Sequence, residues 1–432
     1  MSMNLFGGAA KFVDFTNSKG EPFVANDLGT QFGTLDDNNH FIPHDKFTYN
    51  ITVINGKAKD ASGTIIDKAK TGTVVTIEPD IPTGKDFLNW SSSSRGVVIT
   101  NTTFIMPEND VSITANLYDV AYDININMDM GGIQDGGIVI AKDASGNTIT
   151  SATYGQIVTL SLDPDPNYEV DSCIVTTTNG TLVTVTNGTF IMPASNVNIS
   201  ATFRQIPLTL EAMVAGAVVT FTNKASGPVT YRVNNGAEQT IASKTTGNIT
   251  LANIGDKVQF YGDNAAYATD TSNYSNIACN NNCYVYGNIM SLVKSEGFES
   301  QKTLTGEYAF CKLFTRNAHI KNKTGADLLL PATTLVNSCY YCMFLGCTNL
   351  TVPPELPATN LAPLCYYEMF EECSNLNSVT CLATDISAYL CTDFWLYRVA
   401  PNGTFTKANN MTGWTTGNAG IPEGWTVQNY VA

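Results

Sequence analysis

A segment of the C-terminal third occurs twice in close succession. "LPATTLVNSCYYCMFLGCTNL" spans residues 330–350 and "LPATNLAPLCYYEMFEECSNL" spans residues 356–376, with 13 of the 21 aligned positions identical. A degenerate earlier copy, "YAFCKLFTRNAHI", begins at Tyr308, so the first step between copies is slightly longer than the second. A period in the twenties is typical of solenoids, in which each copy stacks on the next. The sequence therefore predicts three stacked coils, each with a short strand and a short helical turn.

A second repeat lies upstream. "FIMPENDVSITANL" at residues 104–117 reappears as "FIMPASNVNISATF" at residues 190–203, and two further matches precede each copy in the same order and at nearly the same offset. Ordered matches at one offset indicate a tandem domain duplication, with units at residues 49–119 and 120–205. In both copies apolar residues alternate with Ser, Thr and Asn, which is the pattern of a half-buried strand. Each unit is therefore predicted to be a small β module.

The remaining segments complete a mainly β, multidomain chain. Residues 206–296 contain runs such as "AVVTFTN" and "VTYRV", with an Asn-Asn-Gly turn signal at residues 234–236, and are predicted to form a β-sandwich-like module. Residues 297–432 hold the coils and a C-terminal cap. Residues 1–48 fit no module and are predicted to be an N-terminal attachment arm.

The charge balance excludes one class of partner. Lys and Arg number 23 against 38 Asp and Glu, which gives a net charge of −15. A surface this acidic repels phosphate backbones, so nucleic acid is not an expected partner, whereas calcium or a basic protein surface would suit it better. The start, "MSMNLFGGAAKFVDF", lacks the basic residues and apolar run of a signal peptide, and no apolar stretch reaches transmembrane length. We therefore expect folding in a cytoplasm without membrane insertion.

Cysteine usage predicts free thiols. Ten of the eleven cysteines lie within residues 279–391. An odd number in a reducing compartment argues against a disulfide framework, so most are expected to pack as small apolar residues. Cys339 and Cys365 share one repeat position, and Cys347 and Cys373 share another, which marks these four as structural thiols. Serine at Cys347 or Cys373 is expected to cost about 1–3 kcal/mol of stability.

Metal chemistry finds weaker support. "CYYC", ending at Cys342, is formally a C-x-x-C motif, but the second copy has Glu368 at that position, so Cys342 is predicted to be a variable, outward residue. "CNNNC", from Cys279, is a looser zinc candidate. "DPDPNYEVD" at residues 163–171 offers oxygen ligands for calcium, yet prolines interrupt it and Tyr168 stands where an EF-hand needs glycine, which favours a solvated turn. No metal or cofactor is therefore expected.

Aromatic residues are the candidates for recognition, because aromatic faces stack on sugars and anchor protein interfaces. In a short helical turn, one tyrosine of each pair would point inward and the other outward. The alternative is that the rings pack inside the stack and close its end. The candidate adhesive residues are Tyr340, Tyr341, Tyr366, Tyr367, Trp414 and Trp425.

Catalysis has little support in the sequence. The chain holds three histidines and no serine elbow, HExxH pair or phosphate-cradling glycine loop. Paired carboxylates in a glycosidase cleft are the remaining alternative. We therefore expect a non-enzymatic protein.

The N-terminal arm is rich in phenylalanine. Phe6, Phe12, Phe15 and Phe23 lie among Gly, Asn and Asp, and such side chains need a surface on which to be buried. The arm is predicted to be disordered alone and to act as the candidate anchor to a partner. Three copies sharing one docking site would gain avidity.

The quoted motifs resemble two families. "CYYxMFxxCxNL" with "LPAT" before it is similar to BspA-like leucine-rich repeats, which occur in proteins of gut Bacteroidales and of their phages; residues 381–428 look like their terminal cap. The resemblance covers residues 285–428, although Asn317 stands where Cys347 and Cys373 stand in later copies. The two upstream modules resemble divergent InlB-type B-repeats, which recur in bacterial surface proteins.

Both resemblances imply adhesins and spacer stalks. With the missing signal, they imply a structural virion protein of a Bacteroides-type, crAss-like phage. This would be a capsid-attached head fibre or decoration, or a tail-side fibre, that forms a homo-oligomer, with a trimer favoured, and projects its C-terminal tip toward a host-surface or gut glycan. The alternative is an exported Bacteroidales cell-surface adhesin whose signal peptide is absent from this sequence. A glycan-active enzyme is the third interpretation.

Overall fold

The computed structural model describes residues 48–126 and 136–431, together with the backbone of four short strands before residue 48. These strands pair in chain order as one antiparallel sheet: β1 (Phe15–Thr16), β2 (Pro22–Ala25), β3 (Phe32–Leu35) and β4 (Phe41–Pro43). The segment predicted to be an arm without structure of its own therefore contains a sheet. The side chains of the candidate anchors Phe6, Phe12, Phe15 and Phe23 lie outside the described residues.

The chain divides into two compact units. The first contains residues 1–126, 140–161 and 174–199, and the second contains residues 127–139, 162–173 and 200–432. Within the described part of the chain, regular structure consists of strands and two short 3₁₀ helices, with no α-helix. The prediction of a mainly β fold is therefore confirmed. None of the described helices has the length and apolar character needed to cross a membrane.

The first module is built from two four-stranded sheets. Its strands are β5 (Thr48–Ile54), β6 (Gly56–Lys59), β7 (Ile65–Ile66), β8 (Lys68–Lys70), β9 (Val74–Pro79), β10 (Lys85–Ser92), β11 (Thr103–Ile105) and β12 (Val111–Asp119). The sheets have the orders β10-β12-β5-β8 and β11-β9-β6-β7, and β12 runs parallel to β5. Val111, Ile113 and Ala115 are buried on alternate positions of β12, as the period-two pattern predicts.

The second module repeats this arrangement. Its strands are β13 (Ala121–Ile126), β14 (Gly137–Lys142), β15 (Ser151–Thr153), β16 (Ile157–Pro164), β17 (Tyr168–Thr177), β18 (Leu182–Val183), β19 (Thr189–Ile191) and β20 (Val197–Gln205). They form sheets of the orders β15-β13-β20-β17-β18 and β14-β16-β19. The parallel pair β13–β20 corresponds to β5–β12, and the antiparallel pair β16–β19 corresponds to β9–β11. The duplication read from the sequence therefore extends to strand pairing.

The third module packs two sheets around one core. Its strands are β21 (Thr209–Ala212), β22 (Ala217–Thr222), β23 (Val229–Val233), β24 (Gln239–Ile241), β25 (Thr246–Leu251), β26 (Lys257–Gly262), β27 (Asn276–Cys279) and β28 (Cys283–Asn288). Phe221 of the sheet β25-β22-β27 lies 5.2 Å, between ring centroids, from Phe260 of the larger sheet. Asn234 and Asn235 have φ angles of 51° and 58°, so the predicted tight turn joins β23 to β24.

The C-terminal region adds two short strands to this module and forms a separate three-stranded sheet. It contains 3₁₀ helices at Ile289–Leu292 and Phe298–Ser300 and the strands β29 (Ile320–Lys321), β30 (Leu328–Leu329), β31 (Ser378–Cys381), β32 (Thr404–Lys407) and β33 (Thr426–Asn429). β29 and β30 pair in parallel with β28, and β31, β32 and β33 form a parallel sheet. The strand predicted at "LNSVT" is β31, but "LTVPP" forms none, because its two prolines have no N–H to donate.

Between these strands the chain makes four runs of consecutive turns, which we call coils A to D: residues 307–316, 337–346, 363–372 and 389–398. Every fourth residue of a coil has a positive φ, between 46° and 72°. Eleven of these twelve positions hold residues other than glycine, although the left-handed region disfavours a Cβ. The twelve are Tyr308, Lys312, Arg316, Ser338, Cys342, Gly346, Leu364, Glu368, Glu372, Leu390, Phe394 and Arg398.

The sequence predicts helical turns here, and the hydrogen bonds explain why the coils are not helical. The N–H of Phe310 donates to Cys339 O at 2.7 Å and that of Lys312 donates to Tyr341 O at 2.8 Å, so alternate N–H groups bond to the next coil. The intervening N–H groups close tight turns within the coil, as Cys311 N does on Tyr308 O at 3.2 Å. An α-helix would direct every N–H to its own segment. The prediction of a helical turn was therefore wrong.

One apolar core runs from Leu208 to Trp425 without a break at residue 296. The third module and the coils are thus packed as one body within the second unit. Coil D, at residues 389–398, lies in the segment that the sequence assigned to the cap.

Candidate functional site

A column of stacked aromatic rings fills the inside of the coils. Successive ring centroids lie 5.3–6.3 Å apart and the ring planes are tilted by 28° or less. Offset stacking at such spacings adds to the free energy gained by burial. The column consists of Tyr267, Phe310, Tyr340, Tyr366, Trp395 and Trp414. A shorter parallel column contains Phe314, Phe344 and Phe370.

Two of the candidate adhesive residues are buried in this column. Tyr340 and Tyr366 are each 1% exposed, and burial raises the pKa of both phenols well above the usual value. Their partners in each pair, Tyr341 and Tyr367, are half-buried at the surface. One tyrosine of each pair therefore points inward, as expected, and Tyr341 and Tyr367 are the two that keep access to solvent.

The four structural thiols lie in the core. Cys339, Cys347, Cys365 and Cys373 are fully buried. The Sγ of Cys347 donates to Phe314 O at 3.1 Å, and that of Cys373 donates to Phe344 O, also at 3.1 Å. These two thiols therefore hold adjacent coils together by the same bond.

The coil that lacks this cysteine uses an amide instead. Asn317, which is 3% exposed, donates from Nδ2 to Ile277 O at 3.1 Å and contacts Cys279 Sγ at 3.6 Å. Its neighbour is the strand β27 rather than another coil. The departure from the repeat pattern at Asn317 therefore matches the change of partner at the start of the stack.

Cys342 was predicted to point outward, but the structure buries it. It is 1% exposed, and its Sγ lies 3.2 Å from Glu368 Oε2 of the next coil. Burial raises the thiol pKa, and the Glu368 carboxylate adds to the shift. Cys342 and Glu368 are contact partners in successive coils, so the substitution between copies does not mark an outward position.

All eleven cysteines are free, and every one except Cys173 is buried. Burial raises the thiol pKa to about 12 at Cys311, Cys339, Cys373 and Cys381. A thiol with so high a pKa is protonated at neutral pH and is a poor nucleophile and metal ligand.

A ladder of half-buried side chains at the surface, which we call the outer ladder, crosses the coils. Tyr341 and Tyr367 stack with centroids 4.9 Å apart and planes tilted by 9°. Lys312 Nζ lies 5.9 Å from the Tyr341 ring centroid and 5.1 Å from that of Tyr274. Both faces of Tyr341 are therefore covered, by Lys312 and by Tyr367. The ladder offers ring edges and hydroxyls to a partner, whereas sugar stacking on Tyr341 would require an open face.

The cap holds the two candidate tryptophans. Trp414 ends the inner column, 5.3 Å from Trp395, and is half-buried. Trp425 is 7% exposed, and its Nε1 donates to Ala400 O at 2.8 Å. Trp425 therefore packs into the core, and Trp414 is the candidate that retains access to solvent.

Sequence reasoning missed a second aromatic surface on coil D. Phe394 and Tyr397 meet edge to face with centroids 5.5 Å apart, and the Arg398 guanidinium lies 5.1 Å from the Tyr397 ring. Tyr389, 70% exposed, precedes them. No local signal in the sequence marks this surface, because the equivalence of Phe394 to Cys342 and Glu368 appears only when coil D is aligned with the other coils.

The calcium and zinc candidates do not assemble into sites. Among residues 48–126 and 136–431, no three His, Cys, Asp or Glu side chains are grouped so as to hold a metal ion. In the acidic run, Glu169 instead accepts hydrogen bonds from Arg204 Nε at 3.0 Å and Nη2 at 2.8 Å.

The duplicated topology and its residues identify the upstream modules. Both match the divergent InlB B-repeat domain. The matched segments are residues 49–120 and 138–207, about a third of the chain. A search of curated proteins gives no match. The resemblance of the two modules to B-repeats is therefore confirmed.

Proposed function

We propose that the chain is a structural and adhesive protein that projects β modules from an attachment site and presents its coils and cap to a partner. One observation carries this proposal: two tandem B-repeat-like modules precede a region whose sandwich and coils share a single core. Repeated modules of this kind suit extension and display. The proposal assigns no catalysis, metal or nucleic acid to the chain.

The proposal includes a BspA-like leucine-rich repeat identity for the coils. Its support is the even spacing of equivalent left-handed residues along Lys312, Cys342, Glu368 and Phe394. The step is identical from Cys342 to Glu368 and from Glu368 to Phe394, and the first step is slightly longer. A constant period in the twenties across coils B to D fits the leucine-rich range.

We place this protein in a virion, as a head fibre or tail-side fibre assembled in a host cytoplasm. Its support is the thiol chemistry: eleven free cysteines, ten of them buried, suit folding in a reducing compartment. A trimer anchored through residues 1–48 would display three C-terminal tips to a host-surface glycan or protein and gain avidity.

The B-repeat match favours a second candidate, an exported bacterial cell-surface adhesin. Thiol titration of native material under denaturing conditions separates the two proposals. A virion protein folded in a cytoplasm should show most of the eleven thiols free. Several native disulfides would favour the exported adhesin instead.

Mass spectrometry of purified virions tests the location directly, and deletion of residues 1–48 tests the anchor. The shortened chain should stay folded and soluble but fail to join particles. If it still assembles onto virions, the anchor lies elsewhere and the cap becomes the better candidate. Absence of the intact chain from virions, with its presence on cells, would overturn the virion proposal.

A further inference from the structure

A polar cleft of about 500 Å³ lies within the second unit. The ends of β17 and β20 contribute Asp171 and Arg204 to its wall, and the larger sheet of the third module contributes Arg232 and Tyr261. Asp263 also lines it. Its volume is in the range of small-ligand sites. It lies apart from the outer ladder and the cap, so it is a separate candidate for binding.

Two residues that line this cleft each have a buried polar atom without a hydrogen-bond partner. Tyr261 is 8% exposed, and its hydroxyl makes no hydrogen bond. The Nε of Arg232 is also buried and unpartnered, and the guanidinium lies 6.0 Å from the Tyr261 ring centroid. Buried polar groups in folded proteins are nearly always paired, because leaving one unpaired costs stability. Their meeting at one cleft points to an occupant that supplies hydrogen bonds.

Both arginines of the cleft form ion pairs, and one of its carboxylates accepts hydrogen bonds. Arg204 Nη2 lies 2.8 Å from Glu169 Oε1, and Arg232 Nη2 lies 3.2 Å from Glu238 Oε2. Asp263 accepts hydrogen bonds from the N–H and hydroxyl of Ser295, at 2.9 and 3.0 Å. The wall therefore offers directional donors and acceptors beside an excess of acidic groups.

We propose that this cleft binds a neutral saccharide of one or two rings. Sugar hydroxyls both donate and accept, which matches a wall of guanidinium, carboxylate and phenol groups, and hydrogen bonds to charged groups are the stronger kind. The Tyr261 hydroxyl and Arg232 Nε would each gain a partner. Glu296 and Glu299, which also line the cleft, disfavour anionic sugars and phosphates. This deepens the adhesive part of the proposed function by naming a ligand class and a site.

The test uses the full chain and its Tyr261→Phe variant. Binding is measured by calorimetry and ligand-observed NMR against neutral hexoses, N-acetylhexosamines and their disaccharides, with a uronic acid, inorganic phosphate and a lysine-rich peptide as comparisons. We expect at least one neutral sugar to bind at millimolar concentration or below. Tyr261→Phe should weaken it about tenfold, the factor that corresponds to losing one hydrogen bond of about 1.4 kcal/mol.

A matched control separates binding from folding. The Tyr231 hydroxyl bonds to Gln239 Oε1 at 2.7 Å on the neighbouring strands and does not line the cleft, so Tyr231→Phe should leave sugar affinity unchanged. Tyr261→Phe should not lower the melting temperature, because its hydroxyl has no partner to lose. Unchanged affinity in Tyr261→Phe, or binding only of the anionic or cationic probes, would overturn the proposal, as would the absence of any sugar binding. Incorporation into virions is scored separately, so failure here leaves the structural role intact.

Discussion

The B-repeat-like modules and the coils both bury apolar side chains, but they do so with different backbone conformations. In the modules, extended strands alternate buried and exposed residues, and glycines such as Gly63 and Gly146 take the left-handed positions of the turns. In the coils, a left-handed residue recurs every fourth position and is rarely glycine. The left-handed conformation costs a residue other than glycine about 1 kcal/mol or more. Contacts with neighbouring residues must therefore hold the backbone in it. The coils therefore depend on contacts between copies, whereas paired strands are also favoured by the conformational preferences of their own residues.

The largest expected difference between the two regions is their response to alkali. Burial raises the thiol pKa from 9.0 to about 12 at Cys311, Cys339, Cys373 and Cys381, and the first unit contains no cysteine. The folded state keeps these protons while the unfolded state releases them, so stability is intact below pH 9 and is lost progressively between pH 9 and 12. At pH 10 each thiol should cost about 1.4 kcal/mol.

Calorimetry from pH 7 to 10.5 checks this prediction. The transition of the second unit should move to lower temperature with rising pH, while that of the first unit should move much less. Equal shifts in both transitions would contradict the assignment to buried thiols.

Removing the indole of Trp395 should destabilise the coils by about 3–5 kcal/mol. Trp395 is fully buried between Tyr366 and Trp414, and its Nε1 donates to Gly420 O at 2.8 Å. Trp395→Ala leaves a cavity inside the column and frees the cap. Urea unfolding should show the loss in the second unit alone. Trp90→Ala, at a partly buried site of the first module, is the matched control, and a comparable loss from both variants would remove the special role of the column.

The two cysteine positions should differ in their tolerance of serine. The thiol of Cys373 donates to Phe344 O at 3.1 Å, a bond that a hydroxyl can keep, so Cys373→Ser should cost about 1 kcal/mol. Cys365 Sγ is 3.9 Å from Cys391 O, so Cys365→Ser should leave a poorly bonded hydroxyl in the core and cost about 2–3 kcal/mol. Chemical denaturation of both variants measures the order, and a reversed order would show that the inter-coil thiol bond contributes little.

The smallest expected loss of stability comes from a substitution that changes only the backbone preference. Gly346 has a φ of 72°, and a Cβ added there would meet no atom closer than 3.6 Å, so Gly346→Ala adds a left-handed penalty without a clash. We expect a loss of about 1 kcal/mol. Gly63→Ala, with a φ of 86° and open space around it, should cost about the same in the first unit. No loss at Gly346 would mean that the coils accommodate a Cβ at this position without strain.

The sequence predicts the modules well because their signals are local. Alternation along β12, the turn at Asn234 and Asn235 and the duplicated motifs each depend on residues near one another in the chain. The repeat also predicted that one tyrosine of each pair is buried, although not which of the two.

The coil backbone was not predictable in the same way. Ser338, Leu364 and Glu372 carry no signal for a left-handed conformation, and the bonds that impose it come from the neighbouring coil, a full repeat away in the chain. The same separation hid the contact of Cys342 with Glu368. The polar cleft was missed because its wall combines residues from distant parts of the sequence, and no motif links them.

The backbone hydrogen bonds between coils A to D all point the same way along the chain. Tyr267 N donates to Ala309 O, Phe310 N to Cys339 O, Tyr340 N to Cys365 O and Tyr366 N to Cys391 O. Each coil therefore presents acceptors to the one before it and donors to the one after it. A coil inserted between two others would present matching donors and acceptors to both neighbours. Duplication or deletion of coding segments could therefore lengthen or shorten this protein by whole coils. Reach could then change during evolution while the sandwich at one end and the cap at the other stayed the same.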